Sequence, residues 1–242
     1  MIGKIKAFGL TIVALAAMSA FAASAAQAGS FDIGASPAVV KGHSETGQNH
    51  ILSFKSTNGS PFNSICTTAS FEGTTTGQVQ VTDATVTPTY GIAEKAPTGC
   101  TLAGQAAQVR VNGCKYTITG EVSPANTGVV DVIGCTAATP YIQIKSALCE
   151  LRIPMQNGLS HVVATNIGDG KQVTLNATVS GITVHQVGAA CPDGNGHKSV
   201  TGGFTGNTLV TAFKPAGTTQ VTVHEHQYLE NKTGEQVALT ST

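Results

Sequence analysis

Apolar and polar residues alternate with a period of two along most of this chain. In Gln108-Val109-Arg110-Val111-Asn112 the valines face one way and the polar side chains the other, and Tyr141-Ile142-Gln143-Ile144-Lys145 repeats the pattern. Successive side chains of an extended strand point to opposite faces of a sheet, so each run predicts a half-buried strand. Similar runs occur at Tyr116-Thr117-Ile118, Val129-Val130-Asp131-Val132-Ile133, Val173-Thr174-Leu175 and Gln220-Val221-Thr222-Val223, and Gly and Asn clusters separate them at short intervals. No segment beyond the N-terminal region sustains a 3.6-residue apolar period, so helices should be few and short. The expected class is all-β.

The N-terminus breaks this pattern. Lys4 and Lys6 precede an apolar run from Ala7 to about Ala26, closed by Ala26-Gln27-Ala28, the small-x-small pattern that a signal peptidase cleaves. Residues 1–28 therefore read as a signal peptide, with Gly29 first in the mature chain, a secreted and extracellular location, and no stable membrane anchor after cleavage. The 214 residues that remain carry 11 basic and 13 acidic side chains, a net charge of −2 with histidines neutral. Such a surface lacks the concentrated positive charge that a phosphate backbone rewards, so nucleic acid is a poor partner. Charged residues make up only 11% of the chain, which suits a surface of hydroxyl-bearing strands and Gly-rich turns.

All six cysteines, Cys66, Cys100, Cys114, Cys135, Cys149 and Cys191, lie beyond the leader. An even count in an exported chain reads as a disulfide framework, and six cysteines allow 15 pairings among which sequence alone does not select. No Cys-x-x-Cys occurs, so neither a zinc knuckle nor a thioredoxin-type redox pair is signalled. An internal echo orders the cysteines: Cys66, Asp83-Ala84-Thr85-Val86-Thr87 and Cys100 recur as Cys149, Asn176-Ala177-Thr178-Val179-Ser180 and Cys191, at offsets of 83, 93 and 91. If these are equivalent, Cys66–Cys100 and Cys149–Cys191 are corresponding bridges and Cys114–Cys135 closes the hairpin-like stretch between them. The expected architecture is a disulfide-stapled β-sandwich, either two tandem immunoglobulin-like units over 29–138 and 139–242 or one continuous β domain. The absence of Trp, the core landmark of true immunoglobulin domains, limits the likeness to architecture.

One wider pattern joins these residues. Cys66-Thr67-Thr68-Ala69-Ser70-Phe71, Gly99-Cys100, Asn112-Gly113-Cys114-Lys115-Tyr116, Ile142-Gln143-Ile144, Cys149-Glu150-Leu151-Arg152-Ile153-Pro154 and Gly202-Gly203-Phe204-Thr205-Gly206, in that order, resemble a group of uncharacterised secreted actinobacterial proteins with a six-cysteine all-β pattern. The resemblance implies secretion and β structure and brings no catalytic motif.

Candidate chemistry is sparse. His224-Glu225-His226 puts two imidazoles on one face of a strand, where they could bind a divalent metal given a third ligand from His43, His50, His161, His185 or His197. Asp193-Gly194-Asn195-Gly196 offers oxygen ligands but departs from the EF-hand pattern, and beside Cys191 it reads as a tight turn. Ser44 in Gly42-His43-Ser44-Glu45-Thr46 falls short of the Gly-x-Ser-x-Gly nucleophile elbow, because Thr46 stands where the last Gly belongs. Asp83, Glu121, Asp131, Glu150 and Asp193 are too scattered to nominate a carboxylate pair. Sugar platforms need exposed aromatics; Tyr90, Tyr116 and Tyr141 sit among strand residues, leaving Tyr228. The sequence thus supplies a stapled scaffold without a coherent reactive constellation or a cofactor motif. The expected function is that of a non-enzymatic extracellular binding or structural module, its partner a protein or glycan. The alternatives are a secreted hydrolase assembled from distant residues, or a protein inhibitor presenting a loop such as 157–171.

Overall fold

A computed structural model describes residues 30–75, 83–91, 99–120, 127–168, 170–215, 219–221, 223–226, 228–230 and 236–238; the leader expected at 1–28 lies outside them. Among the described residues the chain forms twenty strands and no helix. They are β1 (Ser30–Ile33), β2 (Ala38–Ser44), β3 (His50–Lys55), β4 (Pro61–Cys66), β5 (Ala69–Thr75), β6 (Asp83–Tyr90), β7 (Cys100–Leu102), β8 (Gln105–Ala106), β9 (Gln108–Arg110), β10 (Lys115–Gly120) and β11 (Thr127–Ile133). After them come β12 (Tyr141–Lys145), β13 (Glu150–Pro154), β14 (Gln156–Ile167), β15 (Gln172–Val187), β16 (Lys198–Phe213), β17 (Gln220–Val221), β18 (Val223–His226), β19 (Tyr228–Glu230) and β20 (Gln236–Ala238).

Sixteen strands belong to one antiparallel sheet, and that sheet closes. In the order β16, β2, β5, β6, β10, β11, β14 and β15, each strand pairs with the next, and β15 pairs back onto β16 to complete an eight-stranded barrel. The alternation read from the sequence sets the inner and outer faces of the sheet. Along β2, Ala38, Val40 and Gly42 are buried while Lys41 and His43 are exposed; along β12, Ile142 and Ile144 are buried.

β15 and β16 have 16 residues each, about 50 Å at a strand's rise per residue, longer than one barrel stave requires. Their paired ends serve the barrel: residues 172–177 of β15 meet β14, and residues 208–213 of β16 meet β2. Their other ends run on, where β15 pairs with β13 and β16 with β3. From these the sheet extends through β12 on one side and through β4 and β7 on the other. Residues 105–110 join the two sides, because β8 pairs with β7, β9 pairs with β12, and the Ala107 amide between them donates to the Cys100 carbonyl at 3.0 Å. The hairpin of β15 and β16 is therefore common to the barrel and to a second wrapped layer above it, and most of the buried side chains of both form one apolar cluster. A smaller cluster closes the barrel's other end, where Ile33 of β1 and Val223 of β18 pack on Ala38, Val173 and Ala212.

Three disulfides staple this arrangement: Cys66–Cys100 between neighbouring strands β4 and β7, Cys114–Cys135 across the mouth of the β10–β11 hairpin, and Cys149–Cys191 between the start of β13 and the loop after β15. These are the bridges that the internal echo orders. Three intramolecular disulfides are typical of extracellular proteins.

The sequence expectation is met as an all-β, disulfide-bonded architecture, while the closed barrel differs from the sandwich and from tandem immunoglobulin-like units. The reason is edge pairing. A sandwich leaves four sheet edges open, whereas here β2 and β16, distant in sequence, pair over six residues and remove an edge that would otherwise expose unpaired amides and carbonyls. Strands from both sides of residue 138 contribute staves to the barrel.

Candidate functional site

A cavity of about 170 Å³ lies within the barrel, lined by side chains of both the barrel and the layer above it. Among the described residues its wall is apolar except for His50, Ser64, Thr208 and the phenols of Tyr90 and Tyr116, and no charged side chain lines it. Eight strands give a barrel wide enough either to be filled by its own side chains or to hold one small ligand. Here small residues leave the space: Ala84 and Ala177 line it where larger side chains would close it.

His50 is the unusual member of the wall. It opens β3 in phase with Leu52 and Phe54, so the strand's alternation carries its imidazole inward, and the residue is only 2% exposed. Three aromatic rings surround it, with centroids at 5.8 Å for Phe71, 6.1 Å for Tyr90 and 5.7 Å for Phe204. A fourth side is backbone. A methyl group built on Gly206 would lie 2.6 Å from Nδ1, so the ring occupies space that only glycine at 206 leaves free. No protein group hydrogen-bonds either ring nitrogen. Burial holds the imidazole below its ordinary pKa and therefore neutral at pH 7; the Asn207 backbone offsets part of that shift without reaching hydrogen-bond geometry. Close by, the Tyr90 and Tyr116 hydroxyls bond each other at 3.0 Å. Burial keeps both phenols protonated well past the usual range.

The other candidates sit elsewhere. The backbone of His224 and His226 lies in β18, opposite Asp32 and Ser30 of β1; their side chains, and that of Tyr228, fall outside what the structure describes. His43 and His161 are exposed on separate strands, and His185 faces Arg152 and Lys198 across the sheet. Among the described residues no three His, Cys, Asp or Glu side chains gather as a metal would require. Asp193 fastens a loop: one oxygen accepts from the Thr57 amide and hydroxyl at 2.6 and 2.7 Å, the other from Gln186 Nε2 at 2.9 Å. Asn195 in the same turn accepts from the Gly188 amide.

Ser44 Oγ accepts from the Ala69 amide at 2.6 Å, a strand-end tie rather than a nucleophile's setting. Glu150 bonds Arg152 at 2.6 Å, and that guanidinium lies 4.7 Å from the Tyr141 ring centroid, so Tyr141 is covered rather than offered as a platform. Residues 157–171, expected as a protruding loop, are instead mostly strand β14, held between β11 and β15. Of the histidines, the sequence marks His50 only as one of five candidates for a third metal ligand. Its signal was the period-two run His50-Ile51-Leu52-Ser53-Phe54, which places a histidine on the apolar face.

Compared with protein-family models, with curated proteins and with solved structures, the chain matches none.

Proposed function

We propose that this is an exported, non-enzymatic binding protein that carries a small apolar molecule in the lumen of its barrel. The observation that carries the reading is the lumen itself. Protein interiors hold few voids larger than a water molecule, and an apolar cavity costs roughly 24 cal/mol for each Å³. At about 170 Å³ that is about 4 kcal/mol, a large share of the total stability of an ordinary domain. One larger residue at Ala84 or Ala177 would recover much of it. A cavity kept open at that cost, by a chain otherwise stapled three times, is best explained by an occupant. The leader at 1–28, the disulfides and the likeness to secreted actinobacterial proteins support an extracellular setting.

The test is direct. Protein purified from its export medium without denaturant is extracted with organic solvent, and the extract is compared by mass spectrometry with that of Ala84→Leu, in which the lumen is partly filled. A molecule recovered from the wild type at near-equal molar amount, and depleted in the variant, supports a carrier. Empty extracts, together with no rise in melting temperature for any small aromatic or aliphatic probe, would leave the cavity as a packing defect.

A further inference from the structure

Resting on the lumen reading, we infer that the occupant is a neutral, mainly apolar molecule of about six to ten heavy atoms carrying one hydroxyl, which His50 anchors. Size comes first. An apolar protein cavity of about 150 Å³ holds a benzene ring, and this one, at about 170 Å³, takes one ring or a short branched chain with a small substituent. Charge comes next. Among the described residues no charged side chain lines the cavity, so a carboxylate, phosphate or ammonium would be buried without a counterion, at a cost that apolar contacts of this size do not offset.

Hydrogen bonding then selects the group. A buried polar group without a partner is expensive, and both ring nitrogens of His50 lack a protein partner at 2% exposure. A neutral imidazole always presents one lone pair, which a ligand O–H can reach as donor. The Tyr90–Tyr116 pair on the same wall uses one of its two hydroxyl protons in their mutual bond, so the second can donate to a ligand oxygen. A hydroxyl both donates and accepts; an ether or ketone only accepts, and a hydrocarbon does neither. Phenols and small alcohols share the required chemistry. The glycine at 206 makes the same point from the protein's side, because the wall gives up a side chain to seat an imidazole against backbone.

The experiment uses calorimetric titration of the mature wild type and His50→Phe at pH 7 with three para-substituted probes of nine or ten heavy atoms: 4-ethylphenol, 4-ethyltoluene and 4-methylbenzoate. The wild type should bind the phenol and the hydrocarbon, and bind the benzoate at least about a hundredfold more weakly than the phenol. His50→Phe should weaken 4-ethylphenol about tenfold and leave 4-ethyltoluene within about twofold. An equal loss for both probes, an unchanged phenol affinity, or benzoate binding that matches the phenol overturns the hydroxyl assignment. Failure of the wild type to bind 4-ethyltoluene and 4-ethylphenol alike would instead remove the lumen reading beneath it. Should the variant not fold, nitrogen NMR of the wild type decides: the signal of the unprotonated His50 nitrogen should move upfield with 4-ethylphenol and stay in place with 4-ethyltoluene, and equal responses refute the anchor.

Discussion

Replacing Gly206 by alanine tests the packing on which the site depends. The added carbon would meet Nδ1 of His50 at 2.6 Å, Cε1 at 3.0 Å and Cγ at 3.1 Å, the shortest being about 1 Å inside ordinary contact. Phe71, Tyr90 and Phe204 flank the ring, so relief requires it to leave its rotamer and turn toward the lumen. Overpacking of this kind costs about 1–3 kcal/mol. Against it stands a gain of roughly 0.5–1 kcal/mol, because alanine loses less backbone freedom than glycine in a strand interior. The net expectation for Gly206→Ala in the wild type is a loss of about 1–2 kcal/mol. In a His50→Ala background the obstructing atoms are gone and only the gain remains, so the same substitution should stabilise by about 0.5–1 kcal/mol. The sign reverses between backgrounds. Urea unfolding with the disulfides intact, read as midpoint shifts at constant slope, measures all four corners of the cycle. Additivity within about 0.5 kcal/mol would refute the account, since it would show that residue 206 and the imidazole do not compete for one space.

Three further outcomes follow from the same structure. Removing the Cys149–Cys191 bridge, which spans 42 residues, by the double replacement with alanine should lower unfolding free energy by about 4 kcal/mol; a drop under about 1 kcal/mol would mean that the unfolded chain is already constrained there. For Asp193, burial works to raise the carboxyl, but the hydrogen bonds from Thr57 and Gln186 and nearby His197 outweigh it and hold the group below the usual range. The unfolded state then binds the proton first, so this contribution is intact above the unfolded pKa and is lost as pH falls through the folded one; Asp193→Asn should flatten the acid limb of the stability profile, and an unchanged limb contradicts the role. Burial pushes the Tyr116 phenol up to about 12 despite the opposing bond from Tyr90, and Tyr90 also lies well above its ordinary value. Stability should therefore fall as pH rises from about 10, where unfolded phenols ionise, toward 12. Ultraviolet titration should show two of the four tyrosines ionising only as the fold is lost, and reversible ionisation of all four near pH 10 would sink the interior placement.

How far the sequence discloses this molecule depends on whether a feature is local. Alternation is local, and it places Val109 and Val111, or Ile142 and Ile144, inside. The cysteine echo is nearly so. Its middle segments fall in β6 and β15, each lying between its own pair of bridged cysteines along the chain. Closure is not local. Period two states which face of a strand is apolar and leaves open which strand lies beside it, so β2 against β16 is invisible until residues 39 and 213 are brought together. Glycines hide the continuity of the longest strands: Gly181 in β15 and Gly202, Gly203 and Gly206 in β16 read as turns, yet Gly202 and Gly206 serve close approach, to the Ile182 carbonyl and to His50. The lumen follows from the same blindness. His50 on an apolar face marks an oddity in the sequence, but an empty centre is a property of eight strands taken together, where the residues that matter most are those too small to fill it.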